Sequence, residues 1–155
     1  MMGATMDLAI RRSVTVKAPV ERAFDVFTRE VATWWPLEEY SIRASQGAGR
    51  PQELHLELRE GGRFYERTDG EELPWGSVLA YEPPRRILIE WRVNPESPPT
   101  EIEVTFTAEG DGTRVDLVHS GWERFGDRAG EARAGYGSES GWVSVLGLYA
   151  EAAEA

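Results

Sequence analysis

Residues 101–119 read EIEVTFTAEGDGTRVDLVH. Ile102, Val104 and Phe106 alternate with Glu101, Glu103, Thr105 and Thr107. After the turn Gly110-Asp111-Gly112, Val115, Leu117 and His119 alternate with Arg114, Asp116 and Val118. Successive strand side chains point to opposite faces, so this stretch is a hairpin with one buried and one wetted face. The pattern repeats upstream. Leu54, Leu56 and Leu58 alternate with His55, Glu57 and Arg59, and Gly61-Gly62 turns the chain. Phe64 and Glu66 then share a phase, and Asp69-Gly70 is a strong hairpin signal. Residues 75–81 form another run, Pro83-Pro84 punctuates it, and Ile87, Ile89 and Trp91 alternate with Glu90 and Arg92. A proline-rich loop at residues 94–99 leads back to the opening stretch.

Outward from these six runs, residues 10–17 read as a further strand, with Ile10, Val14 and Val16 as β-formers. Residues 20–35 have helical spacing: Ala23, Phe24, Phe27, Val31, Trp34 and Trp35 fall near one face, and a break between Thr28 and Val31 divides them into two short helices. Pro19 suits the start of that segment, and Pro36 stops it. Residues 41–52 read as a loop. The last segment, residues 128–153, is helical, with Trp142, Val145, Leu146, Tyr149 and Ala152-Ala153 on one stripe. Gly135, Gly137 and Gly141 weaken its first half by roughly 1 kcal/mol each and mark a bend or a close approach. Strands after a helical pair, with a helix at the end, make an α+β fold. The expectation is a curved six- to seven-stranded antiparallel sheet wrapped around a long C-terminal helix. Residues 1–155 make one domain, with residues 1–9 as a flexible N-terminus.

Composition narrows the function. The chain has no cysteine, which excludes disulfides, thiolate metal sites and cysteine nucleophiles. A net charge of −10 argues against phosphate backbones and anionic lipid surfaces, so neither nucleic acid nor membrane is an expected partner. No signal-peptide pattern and no apolar stretch of spanning length appears, so the expected location is the cytoplasm. His55 and His119 lie on opposite strand phases, and no metal-ligand spacing, phosphate-binding glycine loop or serine elbow is present. No metal and no cofactor is expected.

The inward positions are rich in aromatics, and a curled sheet under a helix leaves space wherever side chains do not fill it. The expected ligand-binding residues are Trp35, Phe64, Glu66, Trp91, Phe106, His119, Trp122 and Trp142. Trp75 is ambiguous, because it and Val78 sit on opposite phases. Glu66 and His119 break the apolar pattern, and an ionisable group buried alone is costly. The two could pair across the cavity, as a structural pair or as the acid and base of an enzyme.

In order, Lys17-Ala18-Pro19-Val20-Glu21-Arg22-Ala23-Phe24, Trp34-Trp35-Pro36, Gly61-Gly62-Arg63-Phe64-Tyr65-Glu66, Trp75-Gly76-Ser77-Val78, Glu82-Pro83-Pro84-Arg85-Arg86, Trp91, Thr113-Arg114-Val115, His119-Ser120-Gly121-Trp122 and Gly141-Trp142 resemble the START-like (SRPBCC) superfamily. The similar branch is that of the activator of heat shock protein 90 ATPase homologues. The resemblance implies a helix-grip fold of seven antiparallel strands on a C-terminal helix. Its members include lipid and sterol carriers, aromatic polyketide cyclases and plant hormone receptors, so fold alone does not fix function. Three readings stay open: a binder of a small hydrophobic, amphipathic or aromatic molecule, a cyclase- or hydrolase-type enzyme using Glu66 and His119, and a protein-interaction module. The chaperone activators carry an additional N-terminal domain that these 155 residues do not contain, so a chaperone partner is not expected. START-like domains of this size often dimerise, which leaves a homodimer open.

Overall fold

Turn chemistry sets the strand pairing. Asp69 and Gly70 both have positive φ, 51° and 82°, as a two-residue hairpin turn requires. They join β3 (Arg63–Thr68) to β4 (Glu71–Glu82). Gly110, at φ 60°, joins β6 (Thr100–Glu109) to β7 (Gly112–Ser120). With β1 (Ile10–Val16), β2 (Glu53–Leu56) and β5 (Arg86–Trp91), these strands form one curled antiparallel sheet in the order β1-β7-β6-β5-β4-β3-β2. The computed structural model describes residues 8–155. Of the expected flexible N-terminus, residues 1–7 lie outside the described residues. Leu8 packs against the core, and its carbonyl accepts from Arg133 Nε at 2.9 Å.

The alternation read from the sequence holds in the centre of the sheet. Ile102, Val104 and Phe106 of β6, and Val115, Leu117 and His119 of β7, are all buried. The run beginning at Leu54 stops sooner than its pattern suggests. Strand β2 ends at Leu56, and the Glu57 carboxylate accepts from Arg63 N at 2.8 Å as the chain turns back. Two bulges punctuate β4. At the first, Tyr65 pairs with Pro74 and Phe64 with Gly76, so Trp75 is the extra residue. A bulge re-aims a side chain, which is how Trp75 and Val78 are both buried despite their opposite phases. Gly76 permits this: a Cβ there would stand 1.8 Å from Glu90 O on β5.

The edges of the sheet are bridged by helices α1 (Val20–Thr28) and α2 (Val31–Trp34), two short helices with a break at Arg29–Glu30, as the sequence indicates. A single turn, α3 (Ile42–Ser45), forms within the segment expected to be loop. Ser41 Oγ caps it, accepting from Ala44 N at 3.0 Å.

The C-terminal segment runs helically from Trp122 to Glu154 but not as one rod. It comprises a 3-10 turn (Trp122–Arg128), α4 (Ala129–Gly137), a wide π turn (Glu139–Val143) and α5 (Ser144–Glu154). Gly126, at φ 61°, marks the first kink. Extended backbone at Ser138 and ψ −125° at Gly141 mark the second. The bend permitted by the glycines is therefore real, and it splits the helix by job. Helix α5 packs on α1, α2 and β1, whereas α4 leans outward. Under α5 the interior is filled. Phe27 contacts Trp34, Phe106 and Tyr149 with ring centroids at 5.3, 5.8 and 5.0 Å, and Tyr149 Oη donates to Ala23 O at 2.7 Å. Each such buried aromatic contributes on the order of 2–3 kcal/mol.

At Gly141 the bend tolerates no side chain. A Cβ would stand 2.3 Å from Tyr136 O and 2.4 Å from Gly135 O, both backbone atoms that cannot rotate aside. Gly141→Ala is expected to lower unfolding free energy by at least about 2 kcal/mol in denaturant titrations. Gly147→Ala, on α5 with nothing within 4 Å of the added carbon, is expected to be neutral or stabilising by up to ~1 kcal/mol. Equal effects of the two substitutions would refute this account of the bend.

Candidate functional site

Where α4 leans away from the sheet, a cavity of about 810 Å³ opens. Its walls come from four places. Trp35 and Tyr40 stand after α2, with Ser41, Ile42 and Gln46 in and around α3. Trp75 and Trp91 come from β4 and β5. Tyr136 and Ala132 come from α4, and Trp142 and Val145 from the bend and α5. Trp34 and Trp35 are neighbours in sequence with opposite duties. The Trp34 ring enters the filled core, and the Trp35 ring joins the cavity wall. Trp35 lies 5.5 Å from Trp75, 6.1 Å from Trp91 and 5.9 Å from Trp142, so the four indoles form one continuous aromatic surface.

Every indole N–H in the chain has an acceptor within it. Trp34 donates to Val26 O at 2.8 Å, Trp35 to Tyr40 O at 2.7 Å and Trp75 to Glu66 Oε1 at 2.7 Å. Trp91 donates to Tyr136 Oη at 3.0 Å, Trp122 to His119 O at 3.0 Å and Trp142 to His119 Nδ1 at 3.0 Å. The walls are thereby fixed in orientation and present ring faces to the cavity. The charged side chains lining it are Glu39 and Glu131, both exposed at its mouth; neither arginine nor lysine contributes.

Of the residues expected from the sequence, Trp35, Trp91 and Trp142 line this cavity, and so does Trp75. Phe64 lies behind it, 5.1 Å from Trp75 and 6.1 Å from Trp91. Phe106 belongs to the filled half, against Phe24 and Phe27. Trp122 is buried under Tyr136 and does not reach the cavity.

Glu66 and His119 are both buried, but no hydrogen bond joins them. Glu66 accepts from Ile42 N at 2.6 Å, Arg43 N at 3.1 Å and Trp75 Nε1 at 2.7 Å. It ties the α3 turn to the bulge, and its partners are dipoles rather than a cation. His119 stacks among Trp122, Tyr136 and Trp142 at 4.4, 5.1 and 5.9 Å. An indole N–H can only donate, so His119 Nδ1 is an acceptor and the ring is neutral, with its proton on Nε2. Nε2 donates to Thr100 Oγ1 at 2.8 Å, and Thr100 Oγ1 donates to Trp91 O at 3.4 Å. A relay of hydrogen bonds thus connects two cavity walls, with both ring nitrogens engaged. The sequence missed Tyr136, Tyr40 and Ile42 as wall residues. Tyr136 carries no strand phase, and the loop residues are placed by the Glu66 contact, which spans 24 positions. Among the described residues no group of three or more His, Asp or Glu could hold a metal ion, and no helix is long and apolar enough to cross a membrane.

Burial lowers the His119 pKa from 6.5 to about 3. The unfolded chain takes up a proton below pH 6.5 that the folded chain refuses. The associated stability is therefore complete above pH 6.5 and lost progressively toward pH 3. Wild-type unfolding free energy is expected to fall by about 1 kcal/mol between pH 7 and pH 5.5, at 1.4 kcal/mol per pKa unit, and His119→Gln is expected to remove this slope. A flat wild-type profile over that window would contradict the assignment.

The chain is similar to an anthrahydroquino-γ-pyrone synthase, Txn09, solved in complex with SUM: identity is 35% over 92% of this chain and 95% of that one, with a TM-score of 0.59. It is similar to CalC, a self-sacrificing resistance protein from Micromonospora echinospora, at 30% identity over 95% and 94% of the two chains and a TM-score of 0.68. The Aha1 dimer from Colwellia psychrerythraea, at 17% identity, 94% and 96% coverage and a TM-score of 0.64, shares the fold. No curated protein matches the sequence. The family model for activator of Hsp90 ATPase homolog 1-like proteins matches residues 17–147, most of the chain, and with the helix-grip architecture this means that the chain belongs to that family.

Proposed function

We propose that the protein binds a planar, polycyclic aromatic small molecule, uncharged or cationic, between the indole faces of the cavity. The observation that carries this reading is the composition of the wall: four tryptophans with every indole N–H engaged internally, no basic side chain, and carboxylates at the mouth. Ring faces attract flat aromatic surfaces, in offset or edge-on contact worth about 0.5–1.5 kcal/mol per pair beyond area burial. The missing cation disfavours fatty acids and other carboxylates, whose charge would lose water and gain no partner. The product in the name of the relative at 35% identity, an anthrahydroquino-γ-pyrone, is consistent with this class. In this reading Trp35, Trp75, Trp91 and Trp142 contact the ligand. Glu66 and His119 hold the wall rather than act as acid and base, and Phe64, Phe106 and Trp122 pack behind it.

A second reading, catalysis on the bound aromatic, is favoured by one observation: the relative at 35% identity is a synthase. The protein-interaction reading has less support. The large apolar side chains exposed among the described residues are Leu79, Val143 and Leu148, little area for a docking face.

Titration of tryptophan fluorescence with 1,8-dihydroxyanthraquinone and with palmitate tests the proposal. Saturable quenching by the aromatic and none by palmitate is the expected result. Ala132→Phe, which adds a ring at the α4 side of the cavity, is expected to weaken binding at least about tenfold without lowering the melting temperature. Equal responses to both compounds, or none to the aromatic, would count against it.

A further inference from the structure

Six aromatic side chains with a polar hydrogen line the cavity: Trp35, Tyr40, Trp75, Trp91, Tyr136 and Trp142. Five of those hydrogens are engaged. The four indoles donate as described, and Tyr40 Oη donates to Ser140 O. Tyr136 is the exception. Its oxygen accepts from Trp91 Nε1 at 3.0 Å, and its own O–H donates to no described residue.

The surroundings make this O–H a good donor. Burial raises the Tyr136 pKa, opposed by the smaller effect of the bond from Trp91, so the phenol keeps its proton at neutral pH. The Trp91 N–H pulls electron density from the oxygen, and hydrogen bonds in series strengthen one another at low dielectric. The ring is held on two sides, 5.3 Å from Trp122 and 5.1 Å from His119, so little rotational freedom is lost when a ligand binds. The other polar groups at the wall are less discriminating. Ser41 Oγ accepts from Ala44 N in capping α3 and its O–H turns about the Cβ–Oγ bond, whereas a phenol O–H keeps to the ring plane; Gln46 and Asn94 stand exposed to water.

We propose that Tyr136 is the specificity-determining donor of the cavity, and that its ligand is an aromatic ketone or quinone whose carbonyl oxygen accepts from Tyr136 Oη while the rings lie against the indoles. This rests on the binding reading given above and narrows it from flat aromatics in general to those carrying a carbonyl acceptor. A hydrocarbon of the same shape would leave the buried O–H without a partner, a cost that a carbonyl removes.

The test compares 9,10-anthraquinone with anthracene, two tricycles of nearly equal size, on wild type and Tyr136→Phe by fluorescence quenching in the same dilute cosolvent. Wild type is expected to bind anthraquinone about 3- to 10-fold more tightly than anthracene, the worth of one buried hydrogen bond. Tyr136→Phe is expected to erase that preference, anthraquinone losing its donor and anthracene no longer leaving an O–H without a partner. Should the variant fold poorly, infrared spectroscopy of anthraquinone on wild type provides the same answer, because a donated hydrogen bond moves the carbonyl stretch to lower wavenumber. If both compounds bind but the preference survives in Tyr136→Phe, or the stretch does not move, the role of Tyr136 is overturned and the aromatic cavity stands. If neither compound binds wild type, the reading of the cavity itself fails, and the inference with it.

Discussion

An indole N–H buried away from water needs an acceptor, and this chain of 155 residues has six to satisfy. Much of the site follows from how it does so. Two of the acceptors belong to His119, one to Glu66 and one to Tyr136; the remaining two are backbone carbonyls. The polar residues among the aromatics are therefore fasteners. Glu66 fixes Trp75 and simultaneously takes the N–H groups that begin α3, so one carboxylate sets both the sheet side and the loop side of the cavity. His119 fixes Trp142 and, through Thr100, the backbone of Trp91.

The interior divides into a filled half and an open half, and the division is covalent in origin. At Trp34-Trp35 the chain sends one ring to each. At Ser138–Gly141 the C-terminal helix breaks, so that α5 continues along the core while α4 stands off it. Collapse of the open half is resisted because each wall indole is already committed to a hydrogen bond of fixed direction. Closing the gap would break indole bonds in a region of low dielectric, where each unmet donor costs about 1–3 kcal/mol. A preformed cavity with rigid aromatic walls suits a rigid, flat ligand, since neither partner has much conformational entropy to lose.

Strand content, hairpin positions, the split helix after β1 and the burial of Glu66 and His119 were all legible in residues such as Asp69-Gly70, Ile102 to Phe106 and Leu117 to His119, because period-two alternation and turn chemistry are local. The cavity membership of Trp91, Trp35 and Trp142 was legible as aromatics on inward phases. What the alternation could not reveal was non-local. Trp75 faces inward because of a bulge, which shifts the phase by one residue. Phe106 and Trp122 have the right phase, yet they lie where helices pack the space. Tyr136 sits on a helix with weak amphipathic pattern, and its role depends on Trp91, 45 positions away. The pairing of Glu66 with His119 failed for a related reason: backbone and indole N–H groups, invisible to a count of charges, satisfy both.

The most direct measurement is a nitrogen-15 correlation spectrum of the six indole N–H groups during titration with an anthraquinone. The account predicts ring-current shifts at Trp35, Trp75, Trp91 and Trp142, with Trp34 and Trp122 unmoved and all six protected from hydrogen exchange before and after binding. Shifts spread evenly over all six, or rapid exchange at Trp75, Trp91 or Trp142 in the free protein, would contradict a preformed cavity walled by fastened indoles.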